Sequence, residues 1–357
     1  MIQPLLDQFK SDFNFDQVST ANLEQPITID FYEKWLKQNY HGEMAYLETH
    51  LPAKKSPQLI HPHLISAITV AQSYFPAPKP TLEKYPARIA MYAQNNDYHF
   101  WLKEKLQKMI LILQEKFPTE VFLAYTDSGP ILERDLAQKA GLGWFGKNTC
   151  LIHPKHGSLF FIAEILTSLS FEKNNENKTH PQSQIEPIPD FCGTCTKCID
   201  ICPTNAIKEP HVLKADECIS YLTIESKVAP PLHLRSKIND WFFGCDLCQT
   251  ICPWNQKVFR QKKILSQNEI STENFLSSDN LTEQIQFFRQ ILTSSNKQIQ
   301  KRFFGTALFR AGGFGLKKNA LIVIGNKKIS ELKKEVSDLS TDPKLSELVD
   351  WCLAQLK

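Results

Sequence analysis

The sequence predicts an α+β fold in three parts: a mixed α/β region over 1–171, a cysteine-dense segment over 191–260, and a helical end over 261–357, with 172–190 as linker. Three observations carry that prediction. Over 1–171 the apolar pattern switches between helical and strand periods. Eight of the ten cysteines lie between Cys192 and Cys252. Behind them, 296–334 holds ten Lys or Arg against the single acid Glu331, so the formal charge of +3 averages a basic tail with an acidic remainder. A chain of 357 residues at 42% apolar is globular and long enough for more than one core, which excludes a disordered or collagen-like polymer. The apolar runs 109–113 and 160–166 fall far short of the ~20 residues of a membrane helix, and the first ten residues lack a signal peptide's pattern. The expectation is a soluble cytoplasmic monomer with no membrane contact. Reducing cytosol disfavours disulfides, so the cysteines need another purpose.

In the first part, 30–48 reads as a helix, 63–75 as a strand around the β-branched run 65–70, and 100–116 as an amphipathic helix. Residues 121–126 read as a buried strand running into the turn Asp127-Ser-Gly-Pro. A helix over 131–140 and a strand over 160–166 follow, and the polar stretch 174–189 with three prolines suits the linker. Gly141, Gly143 and Gly146 match a dinucleotide fingerprint in spacing, but that motif must follow a strand and here it follows a helix. It reads instead as a helix stop with close packing, or as a wall for something flat. A carboxylate at the end of an apolar strand makes Asp127 a candidate acid and equally a candidate turn or cap residue. Glu133, Arg134 and Asp135 read as surface pairs on the next helix, and Cys150 and Cys352 as packing residues.

The cysteine spacing is the most specific signal. Cys192, Cys195, Cys198 and Cys202, followed by Pro203, form the C-x2-C-x2-C-x3-C-P run of bacterial [4Fe–4S] ferredoxins. Cys245, Cys248 and Cys252, followed by Pro253, repeat it with Phe242 in the first cysteine's place. In two-cluster ferredoxins the fourth cysteine of each run binds the other cluster. One cluster then takes Cys192, Cys195, Cys198 and Cys252. The other takes Cys202, Cys245 and Cys248, with Cys218 filling the gap as the unassigned cysteine of the segment. Zinc is the rival, but its sites are usually built from two separated pairs. Two adjacent clusters make an electron relay, and the flanking sequence must supply its terminus. In the basic tail, 302–310 and 316–324 read as paired amphipathic helices of a helical repeat, with a face suited to a phosphate backbone.

Asp127-Ser-Gly-Pro, the stretch Ala140-Gly-Leu-Gly-Trp-Phe-Gly-Lys-Asn148, the two cysteine runs, Cys218-Ile-Ser-Tyr-Leu-Thr-Ile-Glu225, the Cys252-Pro-Trp-Asn255 ending and the Arg310 to Asn326 tail together resemble the epoxyqueuosine reductase family. The resemblance covers about 30–330. It implies a nitroreductase-like first domain, a ferredoxin-like two-cluster domain and a HEAT-like end. It further implies two [4Fe–4S] clusters and cobalamin, fed by an external low-potential donor, reducing epoxyqueuosine at the wobble position of tRNA. Asp127 matches the family's acid, and a carboxyl desolvated beside the corrin is expected to have a raised pKa. Asp127, Asn148, Ser220, Gly244, Cys245 and Asp246 are the expected corrin contacts. Arg302, Arg310, Lys317 and Lys318 are expected to grip the anticodon stem-loop. The alternatives are a corrinoid reductive dehalogenase, which would carry a twin-arginine signal and no basic tail, and a ferredoxin-like electron-transfer or RNA-binding protein.

Overall fold

A computed structural model describes residues 2–75, 86–171, 190–262 and 280–357, so all of the expected linker except Asp190 lies outside the described residues. Strands Gln17–Asn22, Ser66–Ser73, Phe160–Thr167 and Phe122–Tyr125 lie side by side in that order, every pairing antiparallel. Three of them stand where the apolar runs predicted; the edge strand Gln17–Asn22 carries too little apolar alternation to be read in advance. On one face of the sheet Ile68, Val70, Ala163 and Ile165 meet Leu102, Leu106, Met109 and Leu113 of the helix Tyr98–Lys116. That helix recurs at i, i+4 and i+7, so its apolar stripe faces the sheet along its whole length. Leu106→Ala would cost about 2–5 kcal/mol by opening a cavity there. On the opposite face Ala67, Ala71 and Leu166 meet Leu136 and Ala137 of the helix Glu133–Lys139.

The expected helix over 30–48 is broken into Ile29–Lys37 and Tyr46–Thr49, because Asn39 takes a left-handed φ of 55° and ends the first piece. Past the helix Glu133–Lys139 the glycine-spaced stretch enters a small hairpin, Trp144–Phe145 with Leu151–Ile152. A Cβ on Gly143 would lie 2.3 Å from the Ile152 carbonyl oxygen, so this glycine permits close backbone packing.

The cysteine segment and the C-terminal helices share one apolar core, in which Trp241, Phe242, Phe243 and Phe259 pack with Phe287, Phe288, Leu316 and Leu321. Strand Trp241–Phe243 also pairs in parallel with Arg88–Ile89, tying this core to the first part of the chain. At its centre runs the helix Gly312–Lys327. Residues 316–324, expected to be amphipathic, are buried on nearly all sides, as a helix apolar all round must be. The expected helix over 302–310 is instead the end of Asn296–Phe303, a connection and a 3₁₀ turn, Ala307–Ala311. No helix among the described residues is long and apolar enough to cross a membrane.

Candidate active site

Each cysteine run closes on a single helical turn, Lys197–Asp200 or Leu247–Thr250, and these two turns pack on one another. Cys252 is the N-cap and Pro253 the first residue of the helix Pro253–Gln261, where a missing N–H costs nothing. Cys218 likewise stands at the N-cap of Ile219–Ile224. The thiols gather into two groups. Burial pushes the Cys198 thiol up to about 11, and Cys252, Cys192 and Cys195 add to the shift. Burial raises Cys245 too, reinforced by Cys218 and Cys202. Cys248 is raised by burial and then by Cys150, Cys245, Cys218 and Cys198. Thiols crowded and dehydrated in this way give up their protons to a metal rather than to water. Trp144 and Trp254 pack with Cys192 and Cys252, and the exposed Phe191 joins the two tryptophans, ring centroids 4.9–5.9 Å apart, an aromatic group that the cysteine spacing could not reveal.

Asp127 lies two residues beyond the strand Phe122–Tyr125, at a left-handed φ of 59°, with its side chain 61% exposed. Tyr98 donates its hydroxyl to Asp127 Oδ2, and His99 Nε2 stands 3.6 Å from the same oxygen. His99 Nδ1 is 2.6 Å from Asp97 Oδ1, and Asp97 caps the helix that carries both Tyr98 and His99. The expectation of a raised Asp127 pKa is corrected: desolvation by the chain crowded around the turn pushes it up, even though the side chain keeps much of its surface exposed, but the hydrogen bonds of His99 and Tyr98 outweigh it and hold the carboxyl below the usual carboxylate range. For His99, burial works downward, and the carboxylates of Asp127 and Asp97 overcome it and raise the imidazole to about 9. The turn therefore rests as an imidazolium–carboxylate pair. Tyr98 and His99 were not singled out in the sequence; the aspartate that caps their helix is the signal that could have found them.

The reading of Glu133 and Asp135 as surface pairs also fails. Asp135 is buried and accepts from the Ile27 and Thr28 amides at 3.0 and 2.8 Å, stitching a distant loop to its helix. Burial, then the charge of Asp127, lift Glu133 to about 8.

Arg134 donates to the Thr149 carbonyl, and its charge acts on both Asp127 and Cys150; Tyr92 feels both Asp127 and Asp246. Asn148 is buried; it donates to the Cys248 carbonyl and accepts from the Cys150 amide, each at 3.2 Å. Asp246 is buried, accepts from the Met91 amide at 2.7 Å, and is pushed by burial up to about 7. Gly244 has φ +71°, donates to Thr223 at 2.9 Å, and would place a Cβ 2.5 Å from that of Ala90. Ser220 is half-buried, and its carbonyl accepts from Thr223 at 3.2 Å. Asn148, Gly244 and Asp246 thus spend these groups on fixing the second cysteine run.

The expected phosphate-gripping residues divide. Lys318 is 1% exposed and donates to the Leu222 and Ser226 carbonyls at 2.7 Å, with burial drawing it down to about 7, so it cannot reach a phosphate and is withdrawn from the set. Arg310 makes a bidentate pair with Glu225 at 3.0 Å and lies over Tyr46. Arg302 bonds Gln290 at 2.8 Å and covers Phe287 and Phe303; Lys317 is half-buried. Exposed Phe100, Phe304 and Phe309 stand in a row at centroid spacings of 6.3 and 5.7 Å. The Asp97 amide bonds the Gly305 carbonyl at 2.9 Å, which sets this aromatic row beside His99.

Two family profiles match the chain: 4Fe-4S double cluster binding domain over residues 191–255, and epoxyqueuosine reductase QueG over 54–128. The epoxyqueuosine reductase of Francisella cf. novicida is 33% identical over 97% of this chain and 94% of its own. That of Cyclobacterium marinum is 39% identical over 63% of this chain and 69% of its own. A crystal structure of epoxyqueuosine reductase with an epoxyqueuosine-modified tRNA-Tyr stem loop superposes with a TM-score of 0.77 over 99% of this chain and 90% of that one, at 23% identity. That likeness establishes a shared fold.

Proposed function

The chain belongs to the epoxyqueuosine reductase family, and from that premise we propose that it reduces epoxyqueuosine at the wobble position of a tRNA to queuosine in the bacterial cytoplasm. The observation that carries the reading is the clustered thiols together with the Asp127 turn, joined through Arg134, whose charge acts on both Asp127 and Cys150, and Tyr92, which feels both Asp127 and Asp246. Cys192, Cys195, Cys198 and Cys252 would hold one [4Fe–4S] cluster, and Cys202, Cys218, Cys245 and Cys248 the other. For cobalamin the observation that fits is the buried Asp246 Oδ1, a polar atom without a partner among the described residues at one of the expected corrin contacts, and Asp246 would hold the group there. When bound, these groups supply the two electrons singly from an external low-potential donor. Within the same proposal the first part of the chain is a nitroreductase-like core and the last helices are a HEAT-like unit.

Removing the epoxide oxygen breaks both carbon–oxygen bonds, makes the carbon–carbon bond double, and needs two electrons and two protons to release water. Asp127, exposed at its turn, presents its carboxylate toward the departing oxygen, while Tyr98 and the His99 imidazolium fix its orientation and hold the proton that the pair delivers. Trp144 and Trp254 pack against Cys192 and Cys252 and would shield one side of that cysteine set. Arg302, Arg310 and Lys317 face the stem-loop phosphates. Phe100, Phe304 and Phe309 offer stacking surfaces for bases splayed from the loop. Anaerobic reconstitution tests the reading: about eight iron per chain is expected from two four-iron clusters, together with cobalamin-dependent formation of queuosine in a modified stem-loop. A fully iron-loaded protein that binds cobalamin yet leaves the epoxide intact would overturn it.

A further inference from the structure

The two cysteine runs share a spacing but not a setting. Along the first, from Phe191 to Ile201, most of the side chains between the cysteines are exposed. Along the second, from Trp241 to Ile251, no residue is exposed, and Trp241, Phe242 and Phe243 bury its entry in the shared apolar core. Two apolar side chains stand out on the first run: Phe191 is 50% exposed and Ile201 40% exposed, each next to a cysteine. Gly193 takes a φ of +50°, and a Cβ there would meet nothing within 4 Å, so the backbone beside Cys192 is open on that side. Basic side chains surround the opening. Lys147 Nζ donates to the Gly193 carbonyl at 2.6 Å. Lys197 begins the helical turn between Cys195 and Cys198. Lys257 Nζ lies 5.9 Å from the ring centroid of Trp254, which packs with Cys192 and Cys252. Among the described residues no ion pair engages these three lysines, and the acids beside them are already occupied. Asp190 accepts from the Cys192 amide at 2.7 Å and faces His211, and Asp200 accepts from Thr196 at 2.8 Å.

We infer that this exposed face of the first run is the docking surface for an acidic one-electron carrier protein, with the Cys192 set as the outer end of the relay and the enclosed Cys245 set as its inner end. The inference rests on the proposed cluster assignment. Each docking oxidises the carrier by one electron and reduces the outer cluster by one, with no bond made or broken, so two visits supply the two electrons that the epoxide consumes. Charge sets the sign of the partner. Lysines without carboxylate partners attract a negative surface from a distance and speed the encounter, and charges at the rim of an interface act mainly through the association rate. Phe191 and Ile201 give that encounter a small apolar centre. Electron-transfer complexes bury less than about 1,200 Å², so two apolar side chains ringed by lysines are enough. A carrier that must leave after giving one electron gains nothing from a larger patch. The second run offers no such approach, because a donor there would be held off by the core that contains Phe242 and Phe243.

The test uses the iron-loaded full chain without cobalamin or RNA, and a fully reduced acidic flavodoxin as the carrier probe. Calorimetry gives the Kd, and rapid mixing follows the visible band of the singly oxidised flavin. In Lys197→Glu/Lys257→Glu the Kd at low salt should rise at least about tenfold, and the bimolecular rate should lose its fall with added salt. Iron content and the transfer rate at saturating carrier stay unchanged. Lys333→Glu/Lys334→Glu, the same change in charge on the helix Lys333–Ser337, should leave Kd and salt dependence at wild type. Lys257→Glu alone, on the helix Pro253–Gln261 and outside both cysteine runs, should give a smaller rise in Kd, which keeps the test sound if Lys197→Glu costs iron. Wild-type Kd and salt dependence in the variants of Lys257 overturn the docking face, as do equal losses in both double variants. A stem-loop Kd raised as much as the carrier's assigns these lysines to RNA and overturns it too. If the carrier docks and delivers electrons as described while the wild-type chain makes no queuosine, the proposed function falls and the docking face stands.

Discussion

Between Cys192 and Cys252 eight thiols are drawn together, and burial with neighbouring thiols raises Cys198 and Cys245. Between Lys297 and Lys334 ten basic side chains are scattered: Lys318 turns inward onto two carbonyls, Arg310 is clamped by Glu225, and Lys317 is half-buried. Both segments are compositionally extreme. A metal cage needs its ligands at fixed mutual distances, so the x2-x2-x3 spacing is itself the geometry. A charged face needs only accumulation, and accumulation does not say which lysines reach the surface. A long aliphatic stem makes lysine compatible with a core when backbone carbonyls are waiting for its ammonium.

The sharpest way to break this comparison is at the cysteines. Cys198→Ala and Cys218→Ala should each remove one cluster, halving iron from about eight to about four per chain and abolishing turnover. If Cys218→Ala keeps the full iron content, the second group is wrongly composed. Next in size is Lys318→Met, which leaves two buried carbonyls without their donor at about 1–3 kcal/mol each. A clear fall in Tm is expected, with no change in the salt dependence of stem-loop binding. Lys317→Ala should do the reverse, with Tm nearly constant and the slope of log Kd against log salt flattened by less than about one unit, as for one phosphate contact.

The smallest effect concerns the pair at the turn. His99 is raised to about 9, so its contribution to stability is complete below the ordinary histidine value of about 6.5 and is lost as pH rises through about 9. Asp127 is depressed, so its share is present above the ordinary value and is lost as acid protonates the lowered carboxyl. Thermal melts of wild type and His99→Gln should therefore converge as pH rises through 9. A constant gap between the two curves would mean that His99 is uncharged in the fold.

The same contrast explains what could be read in advance. The apolar runs located three of the four central strands and the helix Tyr98–Lys116, because period alone distinguishes them. Asp127 was visible because it ends such a run. Tyr98 and His99 were not, since only the packing of a helix end against that turn gives them a role. Residues 316–324 misled because Lys317 and Lys318 suggested a polar face on a helix that has almost none. The exposed row of Phe100, Phe304 and Phe309 joins two segments about 200 residues apart, which no local pattern announces.

The proposed electron path ends beside the Asp127–His99 pair that delivers the proton, and single-turnover reduction of an epoxyqueuosine stem-loop by iron-loaded Asp127→Asn is the decisive test. The account predicts unchanged stem-loop affinity with the rate of queuosine formation lowered by about 10²–10⁴-fold, the usual share of general acid catalysis. A wild-type rate in that variant would contradict it.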